Sequence, residues 1–294
     1  MPSLTEGSVS ERLDHELSGL DALELAEAPR PARALRAWSA TWPKVAATAL
    51  FFGAWQALVW TGWKDESILP GPVAVLRELG RQIAHGRMLH ALGITMSRAG
   101  IGFGLAVVIG GIVGLAIARI PLLRAAIGSM ITGLQTMPST AWIPLAIVLF
   151  GLSEQAILFV NVIGAAPSIA NGIIAGVDTV PPLLDRVGTV LGATGMRRFR
   201  HVVLPAAMPQ IVAGLKQGWA FAWRSLMAGE LIVIVANRPS IGTQLQNSRD
   251  LSDYPWMMAT MVLIFVVGIV VDGAVFGTIE RAVLRRRGLG VAAS

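Results

Sequence analysis

The sequence predicts an all-α polytopic membrane protein with about six transmembrane helices and both termini in the cytoplasm. Three observations carry this. Of 294 residues, 54% are hydrophobic and only 14% charged, well below the roughly 25% charged residues of a soluble domain. The apolar residues fall in continuous runs of about twenty, the length that crosses a bilayer as a helix, and not in the alternation of a membrane β-barrel. The basic residues alternate in density from one inter-span segment to the next. This composition excludes a largely disordered chain, which would be poor in apolar residues. The absence of cysteine excludes a disulfide scaffold, thiol catalysis and a thiolate metal site.

The elements follow in order. Residues 1–40 form an acidic cytoplasmic tail holding seven of the eighteen acids: Glu6, Glu11, Asp14, Glu16, Asp21, Glu24 and Glu27. Leu13, Leu17 and Leu20 recur at helical spacing there, and Pro29 and Pro31 end the pattern. No apolar h-region follows Met1, so the tail does not read as a cleaved signal. Span one covers 45–63, with Trp42, Trp60 and Trp63 placed as an aromatic belt. A polar stretch, 64–92, contains the turn signal Leu69-Pro70-Gly71-Pro72. Span two, 94–118, has Gly100, Gly104, Gly110 and Gly114 at the small-xxx-small spacing of close helix packing. Span three, 122–150, is interrupted by Pro138 and Pro144, and broken backbone at membrane depth is tolerated only against protein or a wet cavity. Span four covers 156–177, with Asn161, Pro167, Ser168 and Asn171 inside it. After a polar loop, 178–203, span five runs over 205–236. Span six covers 256–280 and ends on Arg281, Arg285, Arg286 and Arg287.

Orientation follows from the basic residues. Alternate segments carry about fifteen of them, against about seven on the opposite side, where Lys64, Arg77, Arg81, Arg87, Arg98, Arg238 and Arg249 lie. The positive-inside rule puts both termini and the 178–203 loop in the cytoplasm. The isoelectric point near 10.9 is then a mark of topology, and no nucleic-acid partner is needed to explain it.

The richest stretch lies in that loop, from Leu191 to Pro209. Gly192 permits a sharp turn. A short helix beyond it presents Met196 and Phe199 as an apolar knob ringed by Arg197, Arg198 and Arg200, and Pro205 and Pro209 suit the start of the next helix. Gly192-Ala193, Phe199, Val202, Leu204-Pro205, Pro209, Ile211 and Gly214 match position by position a known pattern. The stretch resembles the EAA loop of ABC-importer permease subunits. Leu69-Pro70-Gly71-Pro72, Ile143-Pro144-Leu145 with Phe150-Gly151, and Trp223 with Glu230 resemble the nitrate/sulfonate/taurine/bicarbonate branch, closest to the aliphatic sulfonate permeases. The likeness covers about 55–284. The family's Glu-Ala-Ala falls on Arg186-Val187-Gly188, with Asp185 as the adjacent acid.

The resemblance implies a type I ABC-importer transmembrane domain over 41–287, followed by a short tail, 288–294, in the bacterial cytoplasmic (inner) membrane. It implies two ABC ATPase subunits, an extracytoplasmic substrate-binding protein and a second permease copy, as a homodimer. The coupling contact to the ATPase would involve Asp185, Arg186, Gly192, Ala193, Met196, Arg197, Phe199, Leu204 and Pro205. The expected cargo is a small oxyanion, with aliphatic sulfonates first and taurine or nitrate next. The chain has no G-x-x-x-x-G-K-[ST] phosphate loop before Lys44, Lys64 or Lys216, so ATP and Mg belong to the partner and this chain is not an enzyme by itself.

Polar and ionisable residues inside spans are the candidates for a translocation path: Gln135, Ser139, Asn161, Asn171, Lys216, Arg224 and Glu230. Each has a structural alternative. The polar ones can simply bond helices together, Lys216 can snorkel to the interface, and Arg224 can pair with Glu230 or Asp272. The four histidines show no metal-ligand spacing. The rival class is an ion-gradient transporter, for which only Glu230 and Asp272 offer acids in the spans; an importer of a different small solute is the other alternative.

Overall fold

The computed structural model describes residues 33–285. The leucine pattern of the acidic tail and the basic pair Arg286 and Arg287 lie outside the described residues. The chain divides into two units at Trp63/Lys64. Within the first, α1 (Arg33–Trp60) is a 28-residue helix with Pro43 inside it. Phe52 and Trp55, one turn apart, stack with ring centroids 6.1 Å apart.

The second unit is helical throughout its described residues. Pro72 starts α2 (Pro72–Ala84), where a missing N–H costs nothing. Then come α3 (Arg87–Arg119), α4 (Pro121–Thr136), a 3-10 turn (Ser139–Trp142), α5 (Ile143–Phe150) and α6 (Glu154–Asp178). The 178–203 region forms α7 (Pro182–Val190) and α8 (Gly195–Arg198). The rest is α9 (Leu204–Ile232), α10 (Ile241–Asp250), α11 (Tyr254–Val271) and α12 (Gly277–Arg285). Side chains of Ser153, Ser240 and Asp253 accept backbone N–H groups at the starts of α6, α10 and α11, satisfying donors that have no intrahelical partner.

The core is the triple packing of α3, α6 and α9, and small residues permit it. Along α3 the buried row is Gly102, Ala106, Gly110 and Gly114, four apart and therefore on one ridge. A Cβ on Gly110 would lie 2.5 Å from the Ala166 carbonyl oxygen, and one on Gly114 would lie 2.7 Å from that of Ala170. Gly100 and Gly104 have open space around them. The predicted packing stripe is therefore corrected by two residues: helix rotation, invisible to the count of glycines, turns Gly102 and Ala106 inward. Between α6 and α9 the backbones meet at Gly172 and Gly214, and a Cβ on Gly176 would lie 3.0 Å from the Ala207 carbonyl. Phe103, Trp219 and Phe276 fill the space beside them edge to face, with Phe103–Trp219 centroids 5.4 Å apart.

Proline decides where helices bend. Pro138 forces Met137 out of the helical region (φ −71°, ψ 134°), as the residue before proline is disfavoured there, and the two halves of this span meet at 102°. Pro144 does not interrupt the span as expected; it sits in the first turn of α5, where its ring meets no preceding carbonyl of the same helix. Phe199–Val203 forms a π turn immediately before Pro205. Proline would strike the carbonyl four residues back, and the wider turn accommodates it. Helical geometry runs through the junctions at Phe199 and Leu204, so the chain is continuously helical from Met196 to Ile232, with the π turn and Pro209 inside that run.

Among the described residues, three helical stretches are long and apolar enough to cross a membrane: Arg87–Arg119, Glu154–Asp178 and Tyr254–Arg285; the bent Pro121–Thr136 and Ser139–Phe150 pair makes four if counted as one. The expected spans one and five fall short on composition, α9 because Gln210, Lys216, Gln217, Arg224 and Glu230 interrupt its apolar run.

Candidate translocation path and coupling segment

The coupling segment is built by glycine geometry. Helix α7 ends in a left-handed turn at Gly192 (φ +77°). The Ala193 N–H donates to the Gly188 carbonyl at 2.9 Å and the Gly192 N–H to that of Thr189 at 3.0 Å, the paired closure that such a cap requires. Gly188 packs against Val202, so α7 folds back on the π turn. Val190 is 87% exposed, Leu191 80% and Met196 71%. Arg186, Arg197 and Pro205 are exposed, while Ala193 and Leu204 are half-buried; Asp185 is in α7. Phe199 departs from expectation. It is half-buried, with the Arg119 guanidinium 3.8 Å from its ring centroid. The exposed knob is therefore Met196 with Leu191 and Val190, and Phe199 ties the segment to the end of α3 by a cation–π contact. Close by in sequence, Arg124 and Asp178 pair at 2.6 Å, joining the ends of α4 and α6.

Between its ends, where Pro205 and Ile232 are exposed, the exposed residues of α9 are Gln210, Ala213, Gln217, Ala220 and Arg224, spaced three and four apart on one stripe. Two amides and a guanidinium are unsuited to hydrocarbon. Arg224 donates to the Ala220 carbonyl at 3.3 Å and lies 4.6 Å from the Phe221 ring centroid. It makes no ion pair with the described residues. The pairings considered from sequence are corrected. Asp272 lies 3.5 Å and Glu280 3.7 Å from Lys216 Nζ, so the lysine charge is matched twice over, and Glu230 is taken by Arg98.

That last pair anchors the other end of α9. Arg98 is 4% exposed and Glu230 0%. Arg98 Nη1 reaches Glu230 at 2.9 Å, while its Nε and Nη2 hold Glu154 at 2.7 and 2.6 Å. The other Glu230 oxygen accepts the Thr95 hydroxyl at 3.0 Å and the Gly242 N–H at 3.1 Å. The Thr95 oxygen in turn accepts the Ile241 N–H at 3.0 Å. One buried network thus joins α3, α6, α9 and the first turn of α10. The structure places Glu230 in this buried network and away from the exposed stripe of α9, its carboxylate accepting three hydrogen bonds. Arg98 and Glu154 were missed as a site. An arginine inside an apolar run was the available signal, since such a charge requires a partner.

The polar candidates separate into groups. Asn171 donates to Gln135 at 2.5 Å, and Gln135 approaches Ser168 at 3.5 Å, bridging α4 to α6. Ser139 lies beside Gly164, next to Ser225. Asn161 is wholly buried against Gly102.

The family model described as a binding-protein-dependent transport system inner membrane component matches residues 92–287. The chain belongs to that family. A probable ABC transporter permease protein of Brucella melitensis is 30% identical over 224 residues, covering 76% of this chain and 89% of the relative. The putative aliphatic sulfonates transport permease protein SsuC of Bacillus subtilis is 26% identical over 239 residues, covering 81% and 85%. Among solved structures, the inward-facing MetNI methionine ABC transporter superposes with a TM-score of 0.58 at 21% identity, over 69% of this chain and 98% of the other, which supports the shared fold. The protein is thus an integral membrane permease component of an ABC importer for small solutes. In such importers ATP hydrolysis belongs to a separate subunit, and a binding protein is a further partner.

Proposed function

We propose that this permease carries a small oxyanion across the bacterial inner membrane, aliphatic sulfonates first and taurine or nitrate next, as a homodimer on two ATPase subunits that bind ATP and Mg. Both termini and the 178–203 loop face the cytoplasm. The observation that carries this reading is the continuous helical run from Met196 to Ile232. One end bears the exposed Met196, beside Leu191 and Val190, for a cleft in the ATPase. Its middle bears the open polar stripe ending at Arg224. At about 1.5 Å per residue its contour is about 56 Å, enough to join a cytoplasmic contact to the membrane-embedded stripe. Closure of the ATPase dimer displaces residues 189–201, and the helical run passes that displacement to the stripe.

Arg224 is the anion station on this reading, because its charge is unmatched where that of Lys216 is neutralised. Similarity to the sulfonate permease of B. subtilis supports the first-ranked cargo. Arg186 presents a cation where the family carries glutamate, so its ATPase contact differs in sign. The test is uptake by the complex reconstituted in liposomes with its cognate ATPase and binding protein. Arg224→Ala is expected to fold and assemble normally but to lose most anion uptake; unchanged uptake and anion preference would overturn the role of Arg224.

A further inference from the structure

Beyond Arg224 the α9 stripe continues at Ala228 and Leu231, four and seven residues on. There it opens into a groove of about 440 Å³ between α9, α10 and α11, within the size range of small-molecule sites. Leu231, Leu245, Met257 and Met261 form an apolar wall, and Gln246 and Arg249 stand at its polar edge. Arg249 is exposed and pairs with none of the described carboxylates. Its neighbour Asp250 is engaged instead by the Gln246 amide at 3.0 and 3.3 Å.

The helix that carries Arg249 is fixed in place. Helix α10 has ten residues, too few for stability alone. Its first turn is held by Glu230 on the Gly242 N–H and Thr95 on the Ile241 N–H, with Arg98 holding Glu230. These are donors that a helix start cannot satisfy internally. The buried ion network therefore sets where Arg249 stands over the groove.

An unmatched guanidinium beside an aliphatic and thioether wall suits one chemistry: a small anion that carries its own apolar body. A guanidinium binds a trigonal or tetrahedral oxyanion through paired N–H donors. The wall gains only from a ligand with carbon to bury. Nitrate would satisfy the first contact and leave the second empty. We propose that this groove is a cargo-contact site within the permease, taking short-chain alkanesulfonates with the sulfonate on Arg249 and the alkyl chain against Met257 and Met261. This rests on the permease reading above and adds to it a place where chain length is sensed.

The absence of cysteine makes the test direct. Met257→Cys puts the permease's single thiol in the groove of the assembled complex, where a membrane-impermeant maleimide reports its accessibility. Added pentanesulfonate is expected to slow labelling severalfold, nitrate is expected to leave it unchanged, and Arg249→Gln in the same background is expected to abolish the protection. In the complex carrying the otherwise unmodified permease, Arg249→Gln is expected to lower pentanesulfonate uptake about tenfold, the loss of one charged hydrogen bond. Equal protection by nitrate, or none by pentanesulfonate, overturns the site. So does a thiol that never reacts, which would mean that lipid or a second copy covers the groove. Failure of the unmodified complex to take up any sulfonate, taurine or nitrate would instead defeat the cargo reading itself.

Discussion

Replacing Arg98 by methionine tests the network at its centre. The change keeps a long, flexible side chain, so the cavity left behind is small. What it removes is three charge-assisted hydrogen bonds, one to Glu230 and two to Glu154. Glu154 is partly open to solvent and keeps Arg238 within 3.8 Å, so its loss is screened. Glu230 is wholly enclosed and retains only the Thr95 hydroxyl and the Gly242 N–H, two neutral donors against a full charge. Removing one partner of a buried ion pair costs about 3–5 kcal/mol. The apparent melting temperature of the purified permease should then fall on the order of 10 °C. Fluorescence-detected thermal unfolding of the detergent-solubilised protein reads this, with Arg77→Met, an exposed arginine, as the reference. Adding Glu230→Gln to Arg98→Met removes the stranded charge and should recover part of the loss. An Arg98→Met protein as stable as the Arg77→Met reference, or a double variant worse than the sum of its singles, would refute the argument from buried charge.

Two further outcomes follow from the packing and the coupling surface. Gly110→Ala should destabilise the permease by about 1–3 kcal/mol through overpacking against the Ala166 carbonyl, while Gly104→Ala, in open space on the same helix, should not; parallel unfolding curves distinguish them. Met196→Asp should leave the permease folded in the membrane, since the side chain is exposed, but abolish co-purification of the ATPase; retained assembly would place the coupling contact elsewhere.

The comparison of sequence with structure turns on how far each signal reaches along the chain. The Gly192 cap was legible because a left-handed cap is a local event, settled within six residues. The broken third span was legible at Pro138 for the same reason, whereas Pro144 was misassigned because a proline in a first turn and one in a helix interior differ only by where the helix starts. The glycine stripe was half legible: spacing showed that small residues recur, but the choice between Gly100–Gly104 and Gly102–Ala106 depends on how α3 is rotated against α6. Phe199 looked like a free knob because nothing near it in sequence covers it; Arg119, eighty residues earlier, does.

By itself, then, the sequence determined that this chain is a helical membrane protein with a loop motif of the permease kind. Apolar run length, proline and glycine positions and the loop motif act over one or a few turns, and each carries its own physical meaning. Only the tertiary structure decided which charges meet. Arg98 joins Glu154 and Glu230 across 56 and 132 residues, and Lys216 rather than Arg224 takes Asp272. Those choices require the depth and rotation of each helix against the others, which are set by the collective packing of α3, α6 and α9. That packing leaves Arg224 on the open stripe without an ion pair among the described residues and encloses Glu230.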